Sequence, residues 1–174
     1  FNMRLTKFDL RNKFALITGG GGLLGQEHAS ALLEVNANII LTDINKEKID
    51  LIKKKLIKFY PSKKIISYRM DVTKPNSIKH VLNSLKKEKI CISILVNNAA
   101  IDSKINNKGR FKNKNRIENL SLLDWNKQLE VGLTGAMLCS KHFGSEMAKN
   151  GKGGIILNIA SDLSIISPYQ RLYK

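Results

Sequence analysis

Five of the eight residues Thr18-Gly19-Gly20-Gly21-Gly22-Leu23-Leu24-Gly25 are glycine, with Gly19, Gly22 and Gly25 at G-x-x-G-x-x-G spacing. The run follows the apolar stretch Phe14-Ala15-Leu16-Ile17 and precedes a helical pattern, so it reads as a strand-to-helix turn. In such a turn the first glycine permits the tight bend. Middle ones let main-chain N–H groups approach a pyrophosphate, and the last lets the helix pack closely on the strand. The helix N-terminus, where Leu24 lies, then turns its partial positive charge toward the phosphates.

Asp43 ends the next apolar run, Asn38-Ile39-Ile40-Leu41-Thr42. A carboxylate at that place accepts hydrogen bonds from an adenosine ribose 2′-OH and repels a 2′-phosphate, which favours NAD over NADP. Ile44, directly after it, joins the expected adenosine-binding set. The competing role for Asp43 is to cap the helix that begins near Asn45. No Arg follows Asp43 to welcome a phosphate, although Lys46 and Lys48 are close in sequence.

These groups need a frame. Phe14 to Thr18, Asn38 to Thr42, Ile65 to Met70, Ile92 to Val96 and Ile155 to Ile159 read as strands. Between them lie helical stripes: Leu24, His28, Ala31, Leu32 and Val35; then Ile49, Ile52, Leu56 and Phe59; then Ile78, Val81, Leu82 and Leu85. A long helix from about Ser121 to Asn150 carries Trp125, Leu129, Leu133, Ala136, Ser140 and Phe143, and 101–119 reads as a polar surface loop. Near-continuous apolar strands alternating with helices imply parallel β-α-β units with both sheet faces covered. The expected fold is a Rossmann-like, doubly wound α/β sheet.

Composition narrows the partners. The 174 residues carry 30 Lys+Arg against 14 Asp+Glu, a formal charge of +16. Basic residues are mostly Lys, amid many Asn and Ile, which resembles coding bias more than selection for phosphate contacts. Arg would be the preferred reader of bases, and the basic stretch Lys104 to Arg116 has only Phe111 for stacking. No specific nucleic-acid partner is expected. No apolar run approaches the roughly 20 residues of a membrane span. Cys91 and Cys139 form no C-x-x-C pair and no metal-ligand spacing, and both read as buried, reduced thiols, which suits the cytoplasm.

With these pieces in order, the chain resembles the short-chain dehydrogenase/reductase family. The resemblance rests on Thr18-Gly19 with Gly22 and Gly25, on Asp43, and on Asp71-Val72. Asn97-Asn98-Ala99-Ala100 and Asn158-Ile159-Ala160-Ser161 complete it. It implies a nicotinamide cofactor that carries hydride to or from an alcohol or carbonyl substrate. It places the adenine amino group at Asp71 with the Val72 main chain beside it, though Asp71 also suits a cap on the following turn. Asn97 and Asn98 would brace the sheet and, with Ala99, line the cofactor cleft. Ser161 would hold the substrate oxygen. A homo-oligomer is implied through the long helix, whose stripe of Trp125, Leu129 and Leu133 serves equally for packing on the sheet.

The sequence departs from the family at several points. Ala100 stands where Gly is usual, and Gly132 where many members carry an Asn that anchors a relay water. Tyr-x-x-x-Lys is missing: Tyr169 and Tyr173 lack a Lys at i+4, and Lys174 directly follows Tyr173. About five of the family's usual seven strands are legible. The expected domain is therefore 1–174, a Rossmann-like domain truncated at its C-terminus and inactive alone. Two other functions stay open. The glycine spacing suits a nucleotide-sugar epimerase or dehydratase, and a non-catalytic dinucleotide-binding protein needs no Tyr-x-x-x-Lys.

Overall fold

The computed structural model describes residues 6–101, 117–151 and 153–161. Five strands, β1 (Phe14–Thr18), β2 (Asn38–Asp43), β3 (Ile65–Arg69), β4 (Ile92–Asn97) and β5 (Ile155–Asn158), form one sheet in the order β3-β2-β1-β4-β5. Every neighbouring pair is parallel. Helices α1 (Leu23–Glu34) and α2 (Lys46–Phe59) cover one face. Helix α3 (Pro75–Lys87) and a long helical run, 122–149, cover the other. This is the expected Rossmann-like α/β fold.

Side-chain alternation along the strands supplies two cores. Ala15, Ile17, Ile39, Leu41 and Val96 pack under α1 and α2. Leu16, Ile40 and Leu95 pack under α3 and the long run, with Phe143 and Cys139 fully buried. Burial pushes the Cys139 thiol up to about 12. Cys91, by contrast, is exposed, which corrects the expectation of two buried thiols: it precedes β4 rather than lying within it.

Three helical faces also differ from expectation. On α1 the buried row is Gly25, Ala29 and Leu33, while Leu24 and Ala31 are exposed. Small side chains bring the axis close to the sheet, and hydropathy does not mark them. On α2 the row Ile49, Ile52 and Leu56 is buried as read, but Phe59 is exposed and the partly buried Tyr60 takes its place.

The long run consists of α4 (Leu122–Leu129), α5 (Gly135–Cys139) and α6 (Ser145–Lys149), joined by π turns at Glu130–Thr134 and Ser140–Gly144. Each π turn inserts an extra residue, so a 3.6-residue stripe changes face on crossing it. Gly135, Cys139, Phe143 and Met147 consequently face the sheet, whereas Trp125, Leu129, Leu133 and Met137 point outward.

Strand β5 breaks the rule that parallel strands are covered on both faces. Ile155, Ile156, Leu157 and the following Ile159 are all exposed, and among the described residues β5 is an edge strand paired only with β4.

The two glycines near the first π turn make a contrast. A Cβ on Gly135 would lie 2.7 Å from Val72 Cγ2, whereas one on Gly132 meets nothing within 4 Å. Gly132→Ala is expected to leave stability unchanged or raise it by up to about 1 kcal/mol. Gly135→Ala should lower it by about 1–3 kcal/mol. Urea unfolding midpoints of the two variants check this.

Candidate functional site

All the candidate groups gather at one edge of the sheet. Because the strands are parallel, the segments after β1, β2, β3, β4 and β5 carry Gly19 to Gly25, Asp43, Asp71, Asn98 with Ala99, and Ser161 to the same side. Chain order reverses between β1 and β4, and open α/β sheets bind ligands at that switch point.

The glycine turn is shaped by close backbone approach. Gly19 has φ +64°, and a Cβ there would meet the Ala99 Cα at 2.8 Å. A Cβ on Gly25 would lie 2.5 Å from the Gly19 carbonyl oxygen. The first and third glycines thus do what their spacing suggested. Gly22 is the N-cap of α1 and offers no side-chain cap, so the first-turn N–H groups, at Leu23 and Leu24, are available to an anion. Leu24 is 56% exposed at this opening.

Thr18 holds the turn against β4. Its buried hydroxyl accepts from the N–H groups of Asn98 and Ala99, both at 3.0 Å. The Asn98 side-chain amide returns to the carbonyls of Thr18 (3.0 Å) and Gly19 (3.2 Å). On the other flank Thr42 donates to the Ile17 carbonyl at 3.0 Å, and the Gly20 N–H donates to the Thr42 carbonyl at 2.9 Å. Sequence reading assigned no role to either hydroxyl. The usable signal was a threonine ending each of two apolar runs beside a glycine turn.

Asp43 is not the cap of α2. Asn45 is, accepting from the Lys48 N–H at 2.9 Å. Asp43 instead reaches back: one carboxylate oxygen accepts from the Gly21 N–H and the other from the Asn45 N–H, each at 3.0 Å. Its carboxylate therefore lies against the glycine turn, and the adjacent Ile44 is 59% exposed.

After β3, one oxygen of Asp71 accepts from the N–H and hydroxyl of Thr73, at 2.9 and 2.7 Å. The turn-capping role is thus realised, and it engages Oδ1 alone. Val72 is buried against Gly135 of the long run.

Asn97 ties β4 to β5 and to the long run. Its amide donates to Asn158 Oδ1 at 2.8 Å and to Ser140 Oγ at 3.0 Å, while among the described residues the buried Asn97 Oδ1 has no partner. The Ile159 N–H donates to the Asn97 carbonyl. Ser161 follows on the surface at the same edge. Tyr169, Tyr173, Lys174 and the basic segment Lys104 to Arg116 lie outside the described residues. Among the described residues no cluster of three or more His, Cys, Asp or Glu could hold a metal, and no helix is long and apolar enough to cross a membrane.

The chain as a whole is similar to known proteins. The family model for short chain dehydrogenases matches residues 13–172. The chain belongs to that family. An NAD-dependent glycerol dehydrogenase of Listeria innocua is 29% identical over 92% of this chain and 57% of its own length. A short chain dehydrogenase/reductase of Macrophomina phaseolina is 30% identical over 88% of this chain and 82% of its own length. A crystal structure of a short-chain type dehydrogenase/reductase from Mycobacterium marinum superposes with TM-score 0.82 at 25% identity, covering 95% of this chain and 62% of that one. Against several other curated relatives the chain spans little more than half their length, for example 52% and 54%.

The threonine clamp can be tested directly. Thr18→Val keeps the shape but leaves the Asn98 and Ala99 N–H groups without their acceptor. The expected cost is about 1–3 kcal/mol, read by urea denaturation.

Proposed function

We propose that this chain forms the dinucleotide-binding part of an NAD-dependent oxidoreductase that moves a hydride between the nicotinamide and an alcohol or carbonyl substrate. The observation carrying the reading is the uncapped α1 N-terminus behind a glycine turn, with the Asp43 carboxylate lying against Gly21. When bound, the nicotinamide supplies the hydride chemistry. In this reading the N–H groups near Gly19, Gly22, Leu24 and Gly25 hold the pyrophosphate. Asp43 and Ile44 take the adenosine ribose. Asp71, through the oxygen that Thr73 does not use, and Val72 take the adenine. Asn98 and Ala99 line the cleft, and Ser161 steadies the substrate oxygen. The NAD dependence in the name of the Listeria relative supports NAD over NADP. The similar proteins are named as dehydrogenases or reductases, which favours this reading over the epimerase alternative. Two free cysteines suit the reducing cytoplasm.

Calorimetric titration with NAD and NADP tests the assignment. NAD should bind better, and Asp43→Ala should cost NAD about 1.5–3 kcal/mol, the worth of hydrogen bonds to a charged group. Asp43→Asn keeps an acceptor for Gly21 and separates support of the turn from ribose binding. An unchanged NAD preference in both variants overturns the ribose role.

The same reading makes the protein a homo-oligomer. Trp125, Leu129, Leu133 and Met137 are 47%, 40%, 66% and 52% exposed along one side of the long run, a stripe suited to a second copy. Leu133→Glu is expected to shift sedimentation toward the monomer. A wild-type chain that stays monomeric at high concentration argues against it.

A further inference from the structure

The buried row of α2, Ile49, Ile52 and Leu56, packs on the sheet and leaves the opposite side of the helix to solvent. Two large apolar side chains stand on that outer surface: Leu51 is 67% exposed and Phe59 69%. At about 100° per residue, Leu51 shares its side of the helix with Lys55 and Lys58, and Lys54 and Phe59 flank them. Lys54, Lys55 and Lys58 are all exposed, and among the described residues none of them has an ion pair.

The charge on this face is uncompensated. Residues 53–64 contain six lysines and no acidic residue. Of the two acids on α2, Asp50 is taken by Lys46 at 2.5 Å and by the Ser67 hydroxyl at 2.6 Å. The other, Glu47, lies in the first turn, away from the lysine-rich end.

Lysines are spread over the whole chain, but here they surround exposed apolar side chains. Lysine is a point charge on a flexible stem, suited to mobile phosphates more than to fixed base edges. The stem can lie along an apolar boundary while the ammonium stays among water and anions. Leu51 and Phe59 are about 12 Å apart along the helix axis, with Lys55 between them, so both reach one flat surface. Nucleic acid would use the cations and leave Leu51 idle, whereas an anionic bilayer uses both.

We propose that the outer face of α2 docks on an anionic phospholipid surface, with Leu51 and Phe59 entering the headgroup boundary and Lys54, Lys55 and Lys58 meeting the lipid anions. The helix lies in the plane of that surface, and the contact is peripheral and reversible. No residue of the dinucleotide reading takes part, so the two stand or fall separately.

Sedimentation of the chain with phosphatidylcholine vesicles, with and without about 30% phosphatidylserine, tests this. The anionic vesicles should bind at least about tenfold more tightly, and raising salt from about 0.1 M to about 0.5 M should release the chain. Lys54→Ala and Lys55→Ala should each weaken binding about fivefold. Leu51→Ser and Phe59→Ser should each weaken it about three- to tenfold and leave its salt dependence unchanged. Exposed Lys79 and Lys87 lie on α3, across the sheet, and Lys79→Ala and Lys87→Ala should leave binding within about twofold. Circular dichroism checks that the variants fold. Equal losses from the α2 and α3 lysines reduce the attraction to net charge and overturn the docking face. Binding unmoved by both serine variants overturns it too, as does failure to sediment with either vesicle. Tighter capture by single-stranded poly(U), lost with the α2 lysine variants and unmoved by the serine variants, assigns the face to nucleic acid and overturns the bilayer.

Discussion

The approach of α1 to the β1 turn is the constraint on which the rest of the molecule depends. With the Gly25 Cβ position only 2.5 Å from the Gly19 carbonyl oxygen, no residue with a side chain fits there without displacing backbone. That closeness aims the uncapped end of α1 over the sheet edge. It also explains why Ala29, one turn further on, is buried where a larger residue would push the axis outward. Helix position, crevice width and the direction of the first N–H groups follow from one contact between main-chain atoms.

Around that contact the molecule concentrates its buried polar groups. Thr18, Thr42 and Asn97 are the buried polar side chains among the described residues, and all three sit at or next to the C-terminal ends of the strands. Each spends its hydrogen bonds on neighbouring backbone or on an adjoining element rather than on a partner in the core. Buried hydroxyls and amides are tolerated when so satisfied, and in return they fix the loops more firmly than apolar packing can. The unpartnered Asn97 Oδ1 is the exception.

Much of this was legible in the sequence, because its signals are local. Five strands, their parallel order and the glycine turn come from apolar runs and punctuation that need no knowledge of distant residues. The α1 face was misread because its contact is made by Gly25 and Ala29, whose value lies in what they lack. The Asp43 contact with Gly21 joins residues 22 positions apart through a main-chain donor, which no side-chain pattern displays. Cys91 and Phe59 were misplaced by a residue or two at the ends of elements, where hydropathy is least informative.

The π turns carry a consequence for tolerated changes in length. In an α-helix each residue turns about 100°, so positions four apart drift by about 40° per step and by about 120° over three steps. One inserted residue takes back nearly all of that. The inward row at 135, 139, 143 and 147 and the outward row at 125, 129, 133 and 137 each cross one π turn and stay in phase. The two seams are therefore locked to the residue count of the run. Deleting one residue between 130 and 134 would rotate everything beyond it by about 100°, lifting Phe143 out of its socket while leaving Trp125 in place. Length here is a coded quantity, as binding as any side chain.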